Sequence, residues 1–176
     1  MRNFAWAAIA LLVSSPRVAS ALIRRAQRTP YTHIMSTDGQ DCYMGRWWLF
    51  NPYPASGAGK RRGFGWLPSV RVHHIMREDL DRHLHDHPWN ARTIVLRGYY
   101  GEVFPLLDKQ GKQIDLRFRR KEAGDTGRLL FGEYHRITHV SRGGVWTLFI
   151  TWKYRGVWGF MVDGHKVPWR TYLGEQ

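Results

Sequence analysis

The sequence predicts an all-β protein, and three observations lead to this prediction. Aromatic residues make up 14% of the chain and lie in short runs, which is typical of strands. From Ser69 onward, short alternating or continuous apolar segments follow one another with no helical pattern between them. Turn signals such as Asn51-Pro52 and Asp163-Gly164 end several of these segments. A chain of 176 residues with this pattern is expected to form one sandwich or closed barrel.

The individual strands are assigned by apolar periodicity between turn residues. Residues 70–74 and 114–118 alternate between apolar and polar side chains, and residues 43–50 form a strand closed by Asn51-Pro52. Residues 93–96, 145–152 and 157–162 are strongly apolar strands. Residues 105–113 and 121–127 are predicted turns, and residues 54–65, rich in Gly, Arg and Lys, a surface loop.

The N-terminal segment supports two interpretations. Residues 4–13 are an apolar run, and Ala19-Ser20-Ala21 resembles a cleavage site, so residues 1–21 are one candidate for a signal peptide. Alternatively, Ser15 as N-cap and Pro16 as first residue start an amphipathic helix, with an apolar side formed by Val18, Leu22 and Ala26. We favour the helical arm, which places an arm and linker at residues 1–40 and the barrel at residues 41–176. The arm needs a cover for its apolar side: the barrel, a second copy, a partner or a membrane surface.

Charge and cysteine content narrow the partners and the compartment. Lys and Arg number 27 against 14 Asp and Glu, and residues 1–62 alone hold nine basic and two acidic residues. The net charge of +13 suits nucleic acid, an anionic membrane or an acidic partner, although no nucleic-acid motif accompanies it. The single cysteine, Cys42, excludes an intramolecular disulfide and fits a reducing compartment such as the cytoplasm.

A cluster of histidines is the strongest chemical signal in the sequence. His83, His85 and His87 are spaced at i and i+2, so they share one face of a strand, with Asp86 on the other face as an expected partner of a neighbouring imidazole. His135 is the expected third ligand if its strand lies beside the first, and His139 follows it. Three neutral imidazoles bind Fe, Zn, Cu or Ni well. The metal-site hypothesis therefore names His85, His87 and His135.

These residues resemble the motifs of the cupin superfamily. His85, His87 and Gly98 match the first cupin motif, and Gly132 with His135 matches the second, with Leu130 in place of the usual proline. The resemblance implies a double-stranded β-helix, or jelly-roll barrel, and a metal ion such as Fe(II), Zn, Ni or Mn. The usual glutamate ligand falls at Ala91 or Arg92, so the resemblance implies a three-His site like that of cysteine-dioxygenase-like cupins. Glu102 is a candidate replacement carboxylate.

A finer resemblance is to small cupin-like proteins encoded by tailed phages and prophages. It rests on the His-Asp-His-Pro-Trp segment at residues 85–89 and on residues 94–99, 135–136, 146–149 and 158–160, and it covers nearly the whole chain. It implies the host cytoplasm or the virion as location, and no particular reaction.

Two functions are therefore predicted. The first is a small metalloenzyme, such as a three-His iron oxygenase, in which Arg92 holds an anionic group of a small substrate and Tyr134 lines the pocket. The alternative is a non-enzymatic phage structural or interaction module whose basic surface contacts DNA, an acidic protein or a membrane surface. Homo-oligomerisation is expected in both, because cupin barrels expose sheet edges.

Overall fold

Strands dominate the computed structural model, which describes residues 2–36, 39–53, 64, 66–110 and 113–174. This confirms a mostly β fold. The elements in chain order are α1 (Arg2–Ser14), α2 (Pro16–Ala26), β1 (Ile34–Met35), β2 (Cys42–Phe50), β3 (Ser69–Ile75), β4 (Trp89–Arg97), β5 (Tyr99–Leu107), β6 (Gln113–Glu122), β7 (Thr126–Leu129), β8 (Arg136–Val140), β9 (Val145–Tyr154), β10 (Gly159–Val162), β11 (His165–Pro168) and α3 (Trp169–Leu173).

The strands form antiparallel sheets that pack around a shared core. The larger sheet has six strands in the order β1-β2-β3-β9-β4-β7, the smaller has the order β6-β5-β8, and β10 pairs with β11. Tyr100 of the smaller sheet packs with Val95 and Val145 of the larger sheet and with Ile137 of β8. The jelly-roll barrel expected from the sequence is consistent with this pairing.

Strands β3, β4 and β9 carry different side chains on their two faces. On the outer face, apolar residues form one cluster with the N-terminal helices: Val72, Ile94, Leu96, Leu148 and Ile150. Because side chains alternate along a strand, the neighbouring positions face the barrel interior. Several of these interior positions are polar yet buried: Arg71, His73, Thr93, Thr147 and Thr151. The interior is thus polar enough to form a binding site.

The N-terminal arm consists of two short helices, α1 and α2, bent by 80° relative to each other. They pack on the outer face of the larger sheet, so the barrel itself covers the arm. Ala19, Ile23 and Ala26 form the buried stripe of α2, one residue further along than the predicted Val18 and Leu22. The helix is therefore rotated about its axis relative to the prediction. Arg25 lies on the side of Val18 and Leu22, and with the helix in this orientation Arg25 is exposed.

Ser15 occupies the N-cap position of α2 but does not cap it with its side chain. Its Oγ donates to the Leu12 carbonyl at 2.8 Å instead, at the end of α1. Within the described part of the chain, no single helix is long and apolar enough to cross a membrane. The bent pair of Phe4–Ser14 and Pro16–Ala26 meets that test only when taken together, by length and composition.

Three further segments differ from the prediction. Pro105 to Leu107 continue β5, so the predicted turn begins only after them. Strand β6 shows the predicted alternation but is exposed except at Lys121, since it is the edge strand of its sheet. Ile34 and Met35, in the predicted linker, form β1 and pair with β2. Of the loop predicted at residues 54–65, the structure describes only Phe64. The domain boundary at residue 40 stays a prediction.

Candidate metal centre

Three imidazoles converge in the barrel interior. One ligand nitrogen from each of His85, His87 and His135 lies within 4.8 Å of the other two. The Nε2 atoms of His87 and His135 are 2.9 Å apart. The ring centroid of His85 lies 5.3 Å from that of His87 and 4.9 Å from that of His135. A set of three neutral imidazoles fits a divalent transition metal and leaves coordination positions open.

Backbone pairing brings the first two histidines to the third. His85 and His135 lie directly opposite each other, and the N–H of each donates to the carbonyl of the other at 2.9 Å. His85 is also bridged to Phe160 of β10. The two histidine segments therefore lie side by side, as the sequence predicts. The first segment is held by isolated bridges rather than by a regular strand, and His83 turns away to contact the Tyr172 hydroxyl at 3.0 Å.

A buried carboxylate sets the tautomer of His135. Oε2 of Glu102 on β5 lies 3.0 Å from His135 Nδ1, and its Oε1 contacts Arg119 at 2.6 Å and Lys121 at 3.0 Å. Burial alone would raise the pKa of Glu102, but the hydrogen bond from His135 and the two cations lower it below its ordinary value. The ionised carboxylate accepts the Nδ1 proton, so Nε2 of His135 presents its lone pair to the cluster. Glu102 thus contacts the cluster through His135 and is not among the three residues whose ligand atoms converge.

Asp79 stands in a comparable position beside His85. Its Oδ2 lies 3.7 Å from His85 Nδ1 and accepts the backbone N–H of Ile137 at 2.8 Å. Its Oδ1 accepts a hydrogen bond from the Tyr43 hydroxyl. Sequence reasoning missed Asp79, because no strand periodicity links it to the histidines. The signal was a short acidic stretch, residues 78–81, just before the histidines of a strongly basic chain.

Two of the three imidazoles, those of His85 and His87, are neutral at physiological pH. Burial, with a smaller contribution from the neighbouring His135, lowers the pKa of His85 to about 4 against the opposing effects of Asp79 and Asp86. Burial, followed by His135 and His85, lowers the pKa of His87 well below its ordinary value. Neutral imidazole is the form that binds a metal ion, so the site favours ligation over protonation.

Asp86 does not orient an imidazole, contrary to the prediction. It is fully buried on the other side of the segment, where Oδ1 accepts the Gly159 N–H at 2.8 Å and Oδ2 contacts Lys166 Nζ at 2.6 Å.

Burial and the nearby Asp86 raise the pKa of Tyr134 to about 12. No described contact brings Tyr134 to the histidine cluster. His139 is exposed, with its ring 5.5 Å from that of Tyr99.

The structure does not bring Arg92 to the cluster either. On β4 the buried Ala91 packs with Phe149 and Leu129, so the alternation of the strand turns Arg92 to the outer face. There its guanidinium lies 4.8 Å from the Trp6 ring and donates to Thr126 Oγ1 at 3.1 Å. Only one of these two adjacent positions can face the interior, and it is Ala91.

A different arginine lies in the interior, and sequence reasoning missed it. Arg71 on β3 is 2% exposed, and its Nε and Nη2 have no hydrogen-bond partner in the described structure. His73 on the same face also has an unpartnered Nε2, and its ring stacks on Phe149 at 4.9 Å. The Phe149 ring lies 5.7 Å from that of His87. The only signal for Arg71 in the sequence was the alternation of residues 70–74. It suggested one buried and one exposed face, whereas both faces of β3 carry buried residues.

Comparisons with known proteins agree with this fold. The sequence matches no family model and no curated protein. A solved structure of oxalate decarboxylase, on its substrate binding mode, is 14% identical over 86% of this chain and 33% of its own, with a TM-score of 0.51. A structure of Bacillus subtilis oxalate decarboxylase from a study of its Mn(II) centres is 10% identical, with a TM-score of 0.50. The match covers 86% of this chain and 33% of that one. Fe(II)-bound HppE is 11% identical, with a TM-score of 0.44. The match covers 69% of this chain and 55% of that one.

The oxalate decarboxylase structures show that this chain has the cupin fold. The chain spans about a third of the length of those chains. Identities this low show the fold alone. These comparisons do not support the finer resemblance to phage-encoded proteins, which stays a hypothesis. The cupin fold together with the three-His cluster defines the class: a cupin-type protein with a candidate site for a divalent metal ion.

Proposed function

We propose that this protein is a small cupin metalloenzyme in which His85, His87 and His135 hold one divalent transition metal. The observation that carries this proposal is the convergence of the three ligand nitrogens within 4.8 Å. Glu102 supports it by leaving the Nε2 lone pair of His135 free for the ion. Fe(II) is the first candidate metal and Mn(II) the second, because Mn(II) centres are named for Bacillus subtilis oxalate decarboxylase, which shares the fold. Zn and Ni also suit imidazole ligands.

The ligand set is free of negative charge. The cupin resemblance expects a glutamate at residue 91 or 92, and the one of these that faces the interior is Ala91, so the three imidazoles do not offset the charge of a divalent ion. A bound ion would supply Lewis acidity and, if it is iron, redox chemistry with dioxygen. The chain itself positions the rings, through Glu102 at His135 and Asp79 beside His85. This arrangement favours an anionic substrate.

Arg71 supports the same substrate class and takes the role first assigned to Arg92. No described carboxylate forms an ion pair with Arg71; five aromatic rings surround it instead, those of Tyr31, Trp48, Tyr53, Trp89 and Phe149. A buried guanidinium with unused donors is costly unless an anion pairs with it. We assign this pairing to a carboxylate or a similar group of a small substrate, with His73 next to it.

Metal analysis combined with a dioxygen-uptake screen over small thiols and carboxylic acids tests this function. We expect about one metal ion per chain and uptake with at least one anionic compound. Arg71→Met should keep the metal and the fold, because removing an unpaired buried charge is seldom destabilising, while raising KM for the active compound. Arg92→Met, on the outer face, is the matched control and should leave KM unchanged. A folded chain that binds no divalent metal would contradict the proposal.

One observation favours the alternative, a module that binds an anionic partner such as DNA. Arg92 and Arg128 lie directly opposite each other on β4 and β7, and with Thr126 and Gly127 they line an open pocket of about 480 Å³. Like charges placed opposite each other are unfavourable unless an anion bridges them. A salt titration of DNA binding by wild type and Arg92→Met, Arg128→Met tests this alternative, since phosphate contacts weaken steeply with salt. Absence of binding at low salt would reject it.

A further inference from the structure

Strand β6 is an edge strand with one unpaired side. It pairs with β5 from Tyr99 opposite Glu122 to Leu107 opposite Gln113, and the described structure places no strand on its other side. Nine of its ten residues are exposed, the exception being Lys121. Residues 113–122 contain no proline, and lysine only at the buried position 121. Proline and lysine, which commonly protect an edge from pairing, are thus absent from its exposed positions, and the exposed charges that remain are of both signs, so they can pair with the charges of another strand.

One hydrogen bond shows which backbone groups of β6 face outward. The N–H of Leu116 donates to the side-chain carboxylate of its neighbour Asp115 at 2.7 Å, so it does not serve the ladder with β5. The side-chain oxygen stands in for the carbonyl that a neighbouring strand supplies. Because backbone groups alternate in direction along a strand, Phe118 presents its N–H and C=O on the same free side.

The side chains above this edge form an apolar face on the same hairpin. Leu116 is 42% exposed and Phe118 is 63% exposed. Val103 lies opposite Phe118 on β5, and Pro105 lies opposite Leu116, so the four side chains share one face of the sheet. Large apolar residues in contiguous exposed positions mark interaction surfaces. The edge and the face together require a partner that supplies both a strand and apolar side chains.

We propose that this partner is a second copy of the chain, paired antiparallel through β6 about a two-fold axis at Leu116. The free backbone groups allow only registers in which Leu116 and Phe118 lie in hydrogen-bonded positions. With the axis at Leu116, Asp115 of each copy lies opposite Arg117 of the other, twice per dimer. With the axis at Arg117, Asp115 lies opposite Arg119 of the other copy, but two arginines face each other at the axis, and with the axis at Asp115 two aspartates do. Only the axis at Leu116 pairs opposite charges without placing like charges opposite each other within residues 113–119. Charge complementarity therefore selects one register among the neighbouring ones.

The selected register also extends the apolar face. Leu116 lies opposite its own copy, and Phe118 lies opposite Ile114, which is 61% exposed in the single chain. The two smaller sheets join into one six-stranded sheet, β8-β5-β6-β6-β5-β8, and no edge of β6 remains. An isologous contact of this kind closes on itself, which gives a dimer and not a fibre.

Charge reversal across the axis tests the register. Sedimentation equilibrium should show a dimer for the wild type. Asp115→Arg should weaken dimerisation roughly tenfold or more, because it sets two pairs of arginines opposite each other. The double variant Asp115→Arg, Arg117→Asp should restore it, since it exchanges the two charges of each pair. Arg120→Asp, which pairs with Gly101 within the hairpin, is the control with a charge change of the same size.

Crosslinking gives an independent measurement. In a Cys42→Ser background, Leu116→Cys should form an intermolecular disulfide on mild oxidation, because hydrogen-bonded antiparallel pairs place their Cα atoms about 5.5 Å apart. Arg119→Cys should not. Circular dichroism of every variant confirms that the barrel is folded. A wild type that is monomeric at high concentration, or a dimer that neither Asp115→Arg nor the crosslink affects, would overturn the proposal. A monomeric wild type would mean that the apolar face of β5 and β6 binds a different protein.

Discussion

Glu102 accepts a hydrogen bond from Nδ1 of His135 at 3.0 Å, and this contact holds the third imidazole of the site in its metal-binding tautomer. Glu102→Gln keeps the shape of the side chain but removes its charge. We expect metal affinity to fall by about 10–100-fold, the usual cost of losing such a partner. Isothermal titration with Mn(II) or Zn(II) measures this loss. An unchanged affinity would show that the carboxylate serves only to neutralise Arg119 and Lys121.

His135→Ala removes one of the three proposed ligands outright. We expect it to lose stoichiometric metal while the barrel stays folded, because the backbone bridge between residues 85 and 135 does not depend on the side chain. Metal content by mass spectrometry of the purified variant checks this. His139→Ala, an exposed histidine outside the cluster, is the matched control and should keep its metal. Retained metal in His135→Ala would mean that another histidine serves as ligand.

The metal-free protein should lose stability as the pH falls from about 6.5 towards 4. Burial lowers the pKa of His85 to about 4 and the pKa values of His73 and His87 well below the ordinary value of 6.5. Between these limits the unfolded chain binds protons that the folded chain does not, so protons favour unfolding. The carboxylate of Glu102 contributes only at lower pH, near its ordinary pKa of 4.5 and below.

Urea unfolding of the metal-free chain at pH 7 and at pH 5 measures this loss. The decrease should be smaller in His85→Gln, which removes one of the three groups. His139→Ala should behave like the wild type. Equal stability at both pH values would show that the cluster is hydrated and titrates normally.

The N-terminal helices should contribute to the stability of the barrel itself. Ile23→Ala removes a side chain that is 7% exposed and packs in the same cluster as Val72 and Ile94. The expected cost is about 2–5 kcal/mol in the free energy of unfolding. Leu12→Ala on α1, where the side chain is 65% exposed, should change it by less than about 0.5 kcal/mol. Thermal and urea unfolding compare the two. Equal effects would mean that the helices do not pack on the sheet in solution.

The same packing changes the expectation for deletion of the arm. Removing residues 2–28 would expose the apolar face of Val72, Ile94, Leu96, Leu148 and Ile150. The truncated chain should therefore be poorly soluble or unfolded. A soluble, metal-binding barrel without the arm would contradict this expectation.

The sequence predicts most of this fold because strand periodicity and turn residues are local signals. The six strands assigned from periodicity all occur, and Asp163 and Gly164 adopt the positive φ values of 48° and 80° that a tight hairpin turn requires. The pair of His85 and His87 is predicted for the same reason, since i, i+2 spacing favours a shared direction in extended chain, although His83 at the same spacing turns away. Long-range contacts are what local signals do not carry.

Arg71 and Arg92 illustrate this limit. In the sequence Arg92 lies near the histidines and Arg71 lies fourteen residues before His85, but the parity of each strand decides which side chain faces the interior. Which alternate residues of a strand face the interior depends on which face of the sheet the N-terminal helices cover. The periodicity of β3 and β4 does not reveal that. Asp79 was hidden likewise, and Glu102 was expected only as a replacement ligand and not as the partner of His135, because both carboxylates reach the histidines only through the packing of β5 and the segment before the site.

The ion pair between Arg119 and Glu102 places a residue of the open strand β6 one carboxylate away from a candidate metal ligand. In the dimer proposed above, assembly and metal loading would share this contact and would be linked equilibria wherever one changes the free energy of the other. Any free energy by which dimerisation strengthens metal binding must return as an equal strengthening of dimerisation by metal. The proportion of dimer would then report on the supply of the metal ion, and the hairpin that joins two copies would also serve as a sensor of their cofactor.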